Sequence, residues 1–494
     1  MKLWKNGVFH TMDHPTATYH SMATSAGKII GFDEELLNMT FDEEIDLKGF
    51  HVYPGFVDAH LHLLGYGQML SRISLKGKTK KEILKTLEIQ FKGTLLYAEQ
   101  YTECGITKND LNAISTSVPI YLRHNDYHSL TVNDVVLSML DVSSESGILT
   151  EELAQQAIDL FPKFSSSELI MFLKNALSHL YQYGVTGGHS DDLYYFNGFN
   201  DTVKVFEMVL KSMPFRTHLL MHHRTLHDYE DSHKPWLDQS NYLQLGAVKL
   251  FYDGTISSMT ALMYHPYQGT SDHGLRVESP EHFISLIRYA RSLELPVAVH
   301  VIGDLGLDEL ITIIKAYPPK EGVKDRLIHT PYMRKETLNL LKGMPLSIDI
   351  QPQFLSSDLP WAFSRFSKIP ELCFPWQSLM DAGIVLSGSS DAPVEIPNPL
   401  LGMHAAIFRR SSHDEKVYFP EESLKRFDAV KLYTTTSQIQ SLKHDRGLLK
   451  QGYIADFSVT RLDLFSMDES AFFEDQIEMT VIDEQIVYRR LHKS

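Results

Sequence analysis

His60 and His62 stand two residues apart at the end of the apolar run Gly55-Phe56-Val57-Asp58-Ala59. In a strand, residues i and i+2 face the same way, so the spacing can aim two imidazoles at one point. Such a pair alone is more commonly two exposed histidines on a loop, and this chain holds 24 His. Four other residues repeat the theme. His300 closes Val-Ala-Val-His, His329 closes Arg-Leu-Ile-His, Asp391 follows Leu-Ser-Gly-Ser-Ser, and Lys249 sits inside Gly-Ala-Val-Lys-Leu-Phe. Each has an ordinary explanation alone: a hydrogen-bonded core histidine, a turn aspartate or a snorkelling lysine. Together they make polar side chains at the ends of several apolar runs, and burying them unpaired costs several kcal/mol each. Imidazole and carboxylate are the donors that zinc and similar divalent ions take, so metal binding offsets that cost. Two adjacent ions need an anionic bridge. A free ammonium cannot ligate, but a carbamate formed by Lys249 with CO2 can; an ordinary barrel lysine would instead repel metal.

The elements that must position these groups alternate along the chain. Eight strand-like runs lie at 55–60, 184–189, 215–222, 246–253, 295–301, 326–330, 346–351 and 383–388. Helical signals separate many of them. Thr79 and Glu82 make a capping-box pattern, Leu169 to Leu180 keeps a helical period that ends at Gly184, and Ser279-Pro280 opens another helix. The pattern predicts an α/β protein, a (β/α)8 TIM barrel over 55–435, with its active site at the C-terminal ends of the strands. Residues 64–183 are too many for one connection and read as a mostly helical insertion over the barrel mouth, after the first barrel strand. The ends, 1–54 and 436–494, are rich in short strands and turns such as Asn6-Gly7 and Asp483-Glu484, which predicts a small β-sandwich formed by both chain termini.

Composition sets bounds on function. The 494 residues are 43% apolar and 22% charged, an ordinary globular balance. The net charge of −16 disfavours nucleic acid and anionic membranes as partners. Cys104 and Cys373 are the only cysteines, which reads as a reducing compartment. No apolar run reaches the ~20 residues of a membrane helix, and the polar start lacks a signal-peptide core, so a cytoplasmic location is expected.

The set His60, His62, Lys249, His300, His329 and Asp391, with the phrase Pro54-Gly-Phe-Val-Asp-Ala-His-Leu-His62, resembles the metal-dependent amidohydrolase superfamily over nearly the whole chain. Further phrases resemble its branch containing N-substituted formamide deformylase. They are Asp126-Tyr-His128 to Asn133, Lys249-Leu-Phe-Tyr-Asp253-Gly254, His300-Val-Ile-Gly303-Asp304, Gln351-Pro352 to Trp361, and Ser389-Ser-Asp391-Ala-Pro393. The resemblance implies that His60 and His62 hold the more buried metal, His300 and His329 the second, and a carboxylated Lys249 the bridge. Asp391 would ligate and take the proton of the attacking water. Thr-Pro-Tyr after His329 departs from many relatives.

The expected activity is hydrolysis of a non-peptide amide-type C–N bond in a small molecule, with one or two divalent ions, zinc by default. A mononuclear deaminase of the same superfamily is disfavoured because no Glu follows His300 closely and Lys249 is present. A metal-less binding or scaffold protein on the same barrel is the alternative of another class. Asp126, His128, Arg123, Trp361 and Arg409 are candidate substrate contacts, with Arg216 a further guanidinium; each also has a structural reading, as a lid network, salt-bridge partner or core residue. His189 reads as a loop residue or a neighbour of the site. The partner expected is a small-molecule substrate; the sequence allows a homo-oligomer without requiring one.

Overall fold

The computed structural model describes residues 1–124, 129–160 and 163–491. Each of the eight apolar runs forms a parallel strand of one sheet. These are β1 (Phe56–Leu61), β2 (Val185–Ser190), β3 (Arg216–His222), β4 (Leu243–Phe251), β5 (Val297–Val301), β6 (Asp325–His329), β7 (Leu346–Ile350) and β8 (Val385–Gly388). Neighbours in the chain are neighbours in the sheet, and Leu237–Ser240 adds an antiparallel partner to β4. All six residues of β1 are buried, as are all five of β5 and of β6. Strands covered on both faces carry continuous apolar runs, which is why the sequence displays them. The sheet curls until its edges meet. The Asp391 N–H donates to the His60 carbonyl at 2.8 Å, the His62 N–H to the Ala392 carbonyl at 2.8 Å, and the Ser390 hydroxyl to Asp58 at 2.6 Å. The result is a nearly closed eight-stranded barrel of the TIM type, with helices such as Ser166–Gln182, Pro280–Ser292 and Asp304–Ala316 between strands. The Ser279 hydroxyl accepts from the His282 N–H at 3.2 Å and Pro280 opens that helix, as its sequence predicts.

A polar layer crosses the barrel interior. Arg326 reaches Asp349 at 2.8 Å, the Ala59 carbonyl at 2.5 Å and His189 Nδ1 at 3.0 Å. His189 stacks on His218 with centroids 4.5 Å apart. Gly246 makes this possible, since a Cβ there would lie 1.8 Å from His218 Nε2. His189 is therefore an interior structural group.

Strands from both chain ends share a sheet in the order 485–489, 477–482, 457–460, 51–54, 8–10, 18–19, and a second, four-stranded sheet is built from 28–32, 22–25, 2–5 and 43–46. Trp4, Phe9, Val52, Phe457, Val459 and Val481 belong to one buried cluster that both ends supply. Arg216, at the start of β3, ties this region to the barrel. Its guanidinium reaches Asp456 at 2.7 and 2.9 Å and Asp483 at 2.5 Å. That places Arg216 at the opposite end of its strand from the site and corrects its reading as a substrate clamp. Removing one partner of a buried pair leaves charge uncompensated. Arg216→Met is expected to lower stability by about 3–5 kcal/mol, read as the shift in urea unfolding; an unshifted curve would show that the triad stabilises little.

The second compact unit is Gln68–Ser165. It holds the Thr79 capping box, with the Thr79 N–H donating to Glu82 at 2.8 Å, but also a five-stranded sheet in the order 148–150, 129–132, 120–124, 96–101, 73–74. Its strands run two to six residues. Runs that short carry little periodicity, so the sequence reading of 64–183 emphasised helices and missed this sheet. The helix Ser166–Gln182 belongs with the barrel unit. Among the described residues, no helix is long and apolar enough to cross a membrane.

Candidate metal centre and substrate pocket

The C-terminal ends of the strands gather the six residues singled out by type and spacing. Asp391 Oδ1 lies 3.4 Å from both His60 Nε2 and His62 Nε2, and His60 Nε2 lies 3.1 Å from Lys249 Nζ. The His60 and His329 rings are 6.0 Å apart, and those of His329 and His300 are 4.6 Å apart. One ligand atom each from His60, His62 and Asp391 falls within 4.8 Å of the others. His329 and Asp391 have φ of 78° and 55°, left-handed values that bulky residues rarely adopt and that cluster at functional sites.

Hydrogen bonds decide which nitrogen each ring offers. A carbonyl only accepts, so His62 donates from Nδ1 to the Asp191 carbonyl at 2.7 Å and turns Nε2 to Asp391, whose carboxylate offsets burial and raises the imidazole to about 9. His300 donates from Nε2 to the Gly254 carbonyl at 3.1 Å and keeps its lone pair on Nδ1. The Gln351 amide nitrogen donates to the Asp349 carbonyl and to Ser389, so its oxygen accepts from His329 Nδ1 at 2.7 Å. His329 is left with a free Nε2. Lysine only donates, so His60 Nε2 accepts from Lys249. His62, His300 and His329 are fixed as metal-ligating histidines are, by a bond from the other ring nitrogen, whereas His60 Nδ1 has no hydrogen-bond partner among the described residues. The donor set fits a divalent ion.

Charge is balanced within the group. Burial alone would raise the Asp391 carboxyl, but the hydrogen bond from His62 and the charges of His329, His62 and Lys249 hold it below its ordinary value. Burial lowers the Lys249 amine, against the opposing pull of Asp191 and Asp391. Burial likewise drives His60 well below the usual imidazole value, with Lys249 adding to it.

Sequence reasoning missed Asp191. Its carboxylate is fully buried 3.7 Å from Lys249 Nζ, and neither oxygen has a hydrogen-bond partner among the described residues. The signal was available, since Ser190-Asp191-Asp192 closes the β2 run as Asp391 closes β8, but attention fell on the neighbouring His189. Asp253, noted only as part of a phrase, accepts from the Leu262, Ile302 and Gly303 N–H groups at 2.9, 3.0 and 2.7 Å and so fixes the loop after His300. A second His-His-Asp group, His10, His51 and Asp463, lies in the terminal sheets. Its histidines bond each other at 3.0 Å, and Tyr53 donates to Asp463 at 2.8 Å, an ordinary polar cluster.

A cavity of about 250 Å³ opens beside the centre and includes His300, His329, Asp391, Phe354 and Trp361 in its lining. Trp361 lines it, its indole N–H held by the Ser357 carbonyl at 2.9 Å. Arg409 does not. Its guanidinium is buried over Trp376 and donates to the Tyr418, Glu422 and Phe374 carbonyls, so it pins loops and has no free face for substrate. Arg123 lies on strand Ile120–His124 of the other unit, near Tyr97. Asp126 and His128 lie outside the described residues. Asn133 bonds Ile120, Ser115 and Val118, a local brace.

The profile of the amidohydrolase family matches residues 43–488. The chain is 34% identical to a Bacillus subtilis (strain 168) protein named "Putative amidohydrolase YtcJ", over 99% of each chain. It is 22% identical to the N-substituted formamide deformylase of Arthrobacter pascens, over 98% of each. A solved structure titled an uncharacterized metal-dependent hydrolase from Pyrococcus horikoshii superposes with a TM-score of 0.82 at 27% identity, covering 95% of this chain and 99% of that one.

Proposed function

This chain belongs to the amidohydrolase family, and on that footing we propose that it is a metal-dependent hydrolase of amide-type C–N bonds in small molecules. The observation that carries the reading is the convergence of His60, His62 and Asp391 on one point, with the outer nitrogen of His62 tied to Asp191. The relative titled a metal-dependent hydrolase supports it. His60 and His62 would hold one ion and His300 and His329 a second, with Asp391 ligating and Lys249, as a carbamate, bridging. Zinc suits so imidazole-rich a set. Burial shifts the Lys249 amine downward, in the direction of the neutral form that reacts with CO2. We also read the two terminal sheets as a small sandwich beside the barrel.

When bound, the metal lowers the pKa of water towards ~7 and polarises the substrate carbonyl. The chain's own residues do the rest. Asp391, ionised and beside the two Nε2 atoms, accepts the proton that water gives up and returns it to the leaving amine. Gln351 and Asp191 keep the imidazoles oriented. Phe354 and Trp361 line the pocket and limit water.

The test is elemental analysis of gently purified protein beside a screen of N-formyl, N-acyl and cyclic amides. One to two divalent ions per chain are expected, with turnover lost in chelator and restored by metal with bicarbonate. Protein that takes up no metal under any of these conditions would overturn the reading.

A further inference from the structure

Resting on the hydrolase reading, we propose that the substrate carries a cationic group, an ammonium or guanidinium, seated between Asp358 and Glu395 in the pocket beside the metal centre.

The cavity lining carries two kinds of group. His329 and Asp391 belong to the metal centre, where bond cleavage belongs; Asp358, Trp361, Glu395 and Tyr332 do not. The lining contains no Lys or Arg. Asp358 forms no ion pair or hydrogen bond among the described residues, and burial raises its carboxyl to about 7, with the charge of Glu395 adding to the rise and His413 opposing it weakly. Burial raises Glu395 as well, against a hydrogen bond from Ser357. Two half-buried carboxyls that repel each other without a counter-cation cost free energy, and a cation between them removes the cost.

A second observation is independent of the acids. Tyr332 is 1% exposed, and its hydroxyl has no hydrogen-bond partner among the described residues. It lies close enough to Asp358 for the carboxylate to raise its pKa further above normal. Buried hydroxyls are almost always paired, so an orphan in a pocket wall marks a place for a ligand's donor. A phenol oxygen accepts an N–H, more weakly than a carboxylate does. The Trp361 ring adds a face on which a planar cation can lie. Both sets of groups line one cavity of about 250 Å³, so the cation sits only a few bonds from the scissile amide.

The experiment is calorimetric titration of metal-loaded protein with benzylguanidinium and with its neutral isostere benzylurea, neither chosen as a substrate. The cation is expected to bind at least about tenfold tighter, the scale of one charge-assisted contact. Asp358→Asn/Glu395→Gln should erase that preference while leaving benzylurea binding unchanged and the melting temperature no lower than that of the wild type. Equal affinity of the wild type for the two probes would overturn the inference, as would a preference that survives the double substitution. The outcome is separable from the hydrolase reading. Turnover of neutral amides with no cation preference sinks the subsite alone, whereas cation binding without turnover of any amide leaves the subsite and sinks the hydrolase.

Discussion

Asp391→Asn is expected to lower kcat by about 10²- to 10⁴-fold, the usual contribution of a positioned proton acceptor. Asparagine keeps the size and one oxygen of the side chain but cannot take a proton. Metal content should remain near that of the wild type, because the imidazoles of His60, His62, His300 and His329 stay in place. The backbone N–H of residue 391 still reaches the His60 carbonyl, a 2.8 Å bond that the substitution does not touch. The measurement is paired: metal per chain, and kcat on whichever amide the wild type hydrolyses. Loss of rate with retained metal identifies the proton-transfer role. A variant with normal rate would remove Asp391 from it, and a variant without metal would show that its main work is ligation.

Lys249→Ala is expected to lose both metal and activity, because the bridge goes with the amine. The alternative is that Lys249 acts only as an ammonium paired with Asp191, 3.7 Å away in a fully buried setting. Lys249→Arg separates the two. It keeps the positive charge for Asp191 but cannot form a carbamate. If the bridge matters, the Arg variant fails as badly as the Ala variant, and acetate or propionate in the buffer partly restores the Ala variant. If charge pairing matters, the Arg variant keeps its metal and rate. Metal uptake by stripped wild-type protein should also rise with added bicarbonate, a readout that involves no turnover and no substitution.

The barrel was legible because its strands are buried on both faces, so each shows as an unbroken apolar run; all eight were placed. The site was legible for a related reason. His300, His329 and Asp391 end such runs, and a polar group at the end of a buried strand asks for a partner. What stayed hidden depended on contacts distant in sequence. The side-chain type of Arg216 says that it wants a carboxylate but not that Asp456 and Asp483, 240 and 267 positions later, supply it. Arg409 likewise spends its donors on backbone carbonyls, which leave no trace in side-chain identity. Asp191 and Glu395 were passed over because carboxylates are common after strands and in loops; only burial without partners separates them from the rest. The short strands of Gln68–Ser165 lacked the length that periodicity needs.

The barrel's seam joins Asp58 to Ser390 across 332 positions of chain. As the polypeptide leaves the ribosome, His60 and His62 emerge early and Asp391 hundreds of codons later. The cluster of His60, His62 and Asp391 can therefore assemble only after the last barrel strand has been synthesised.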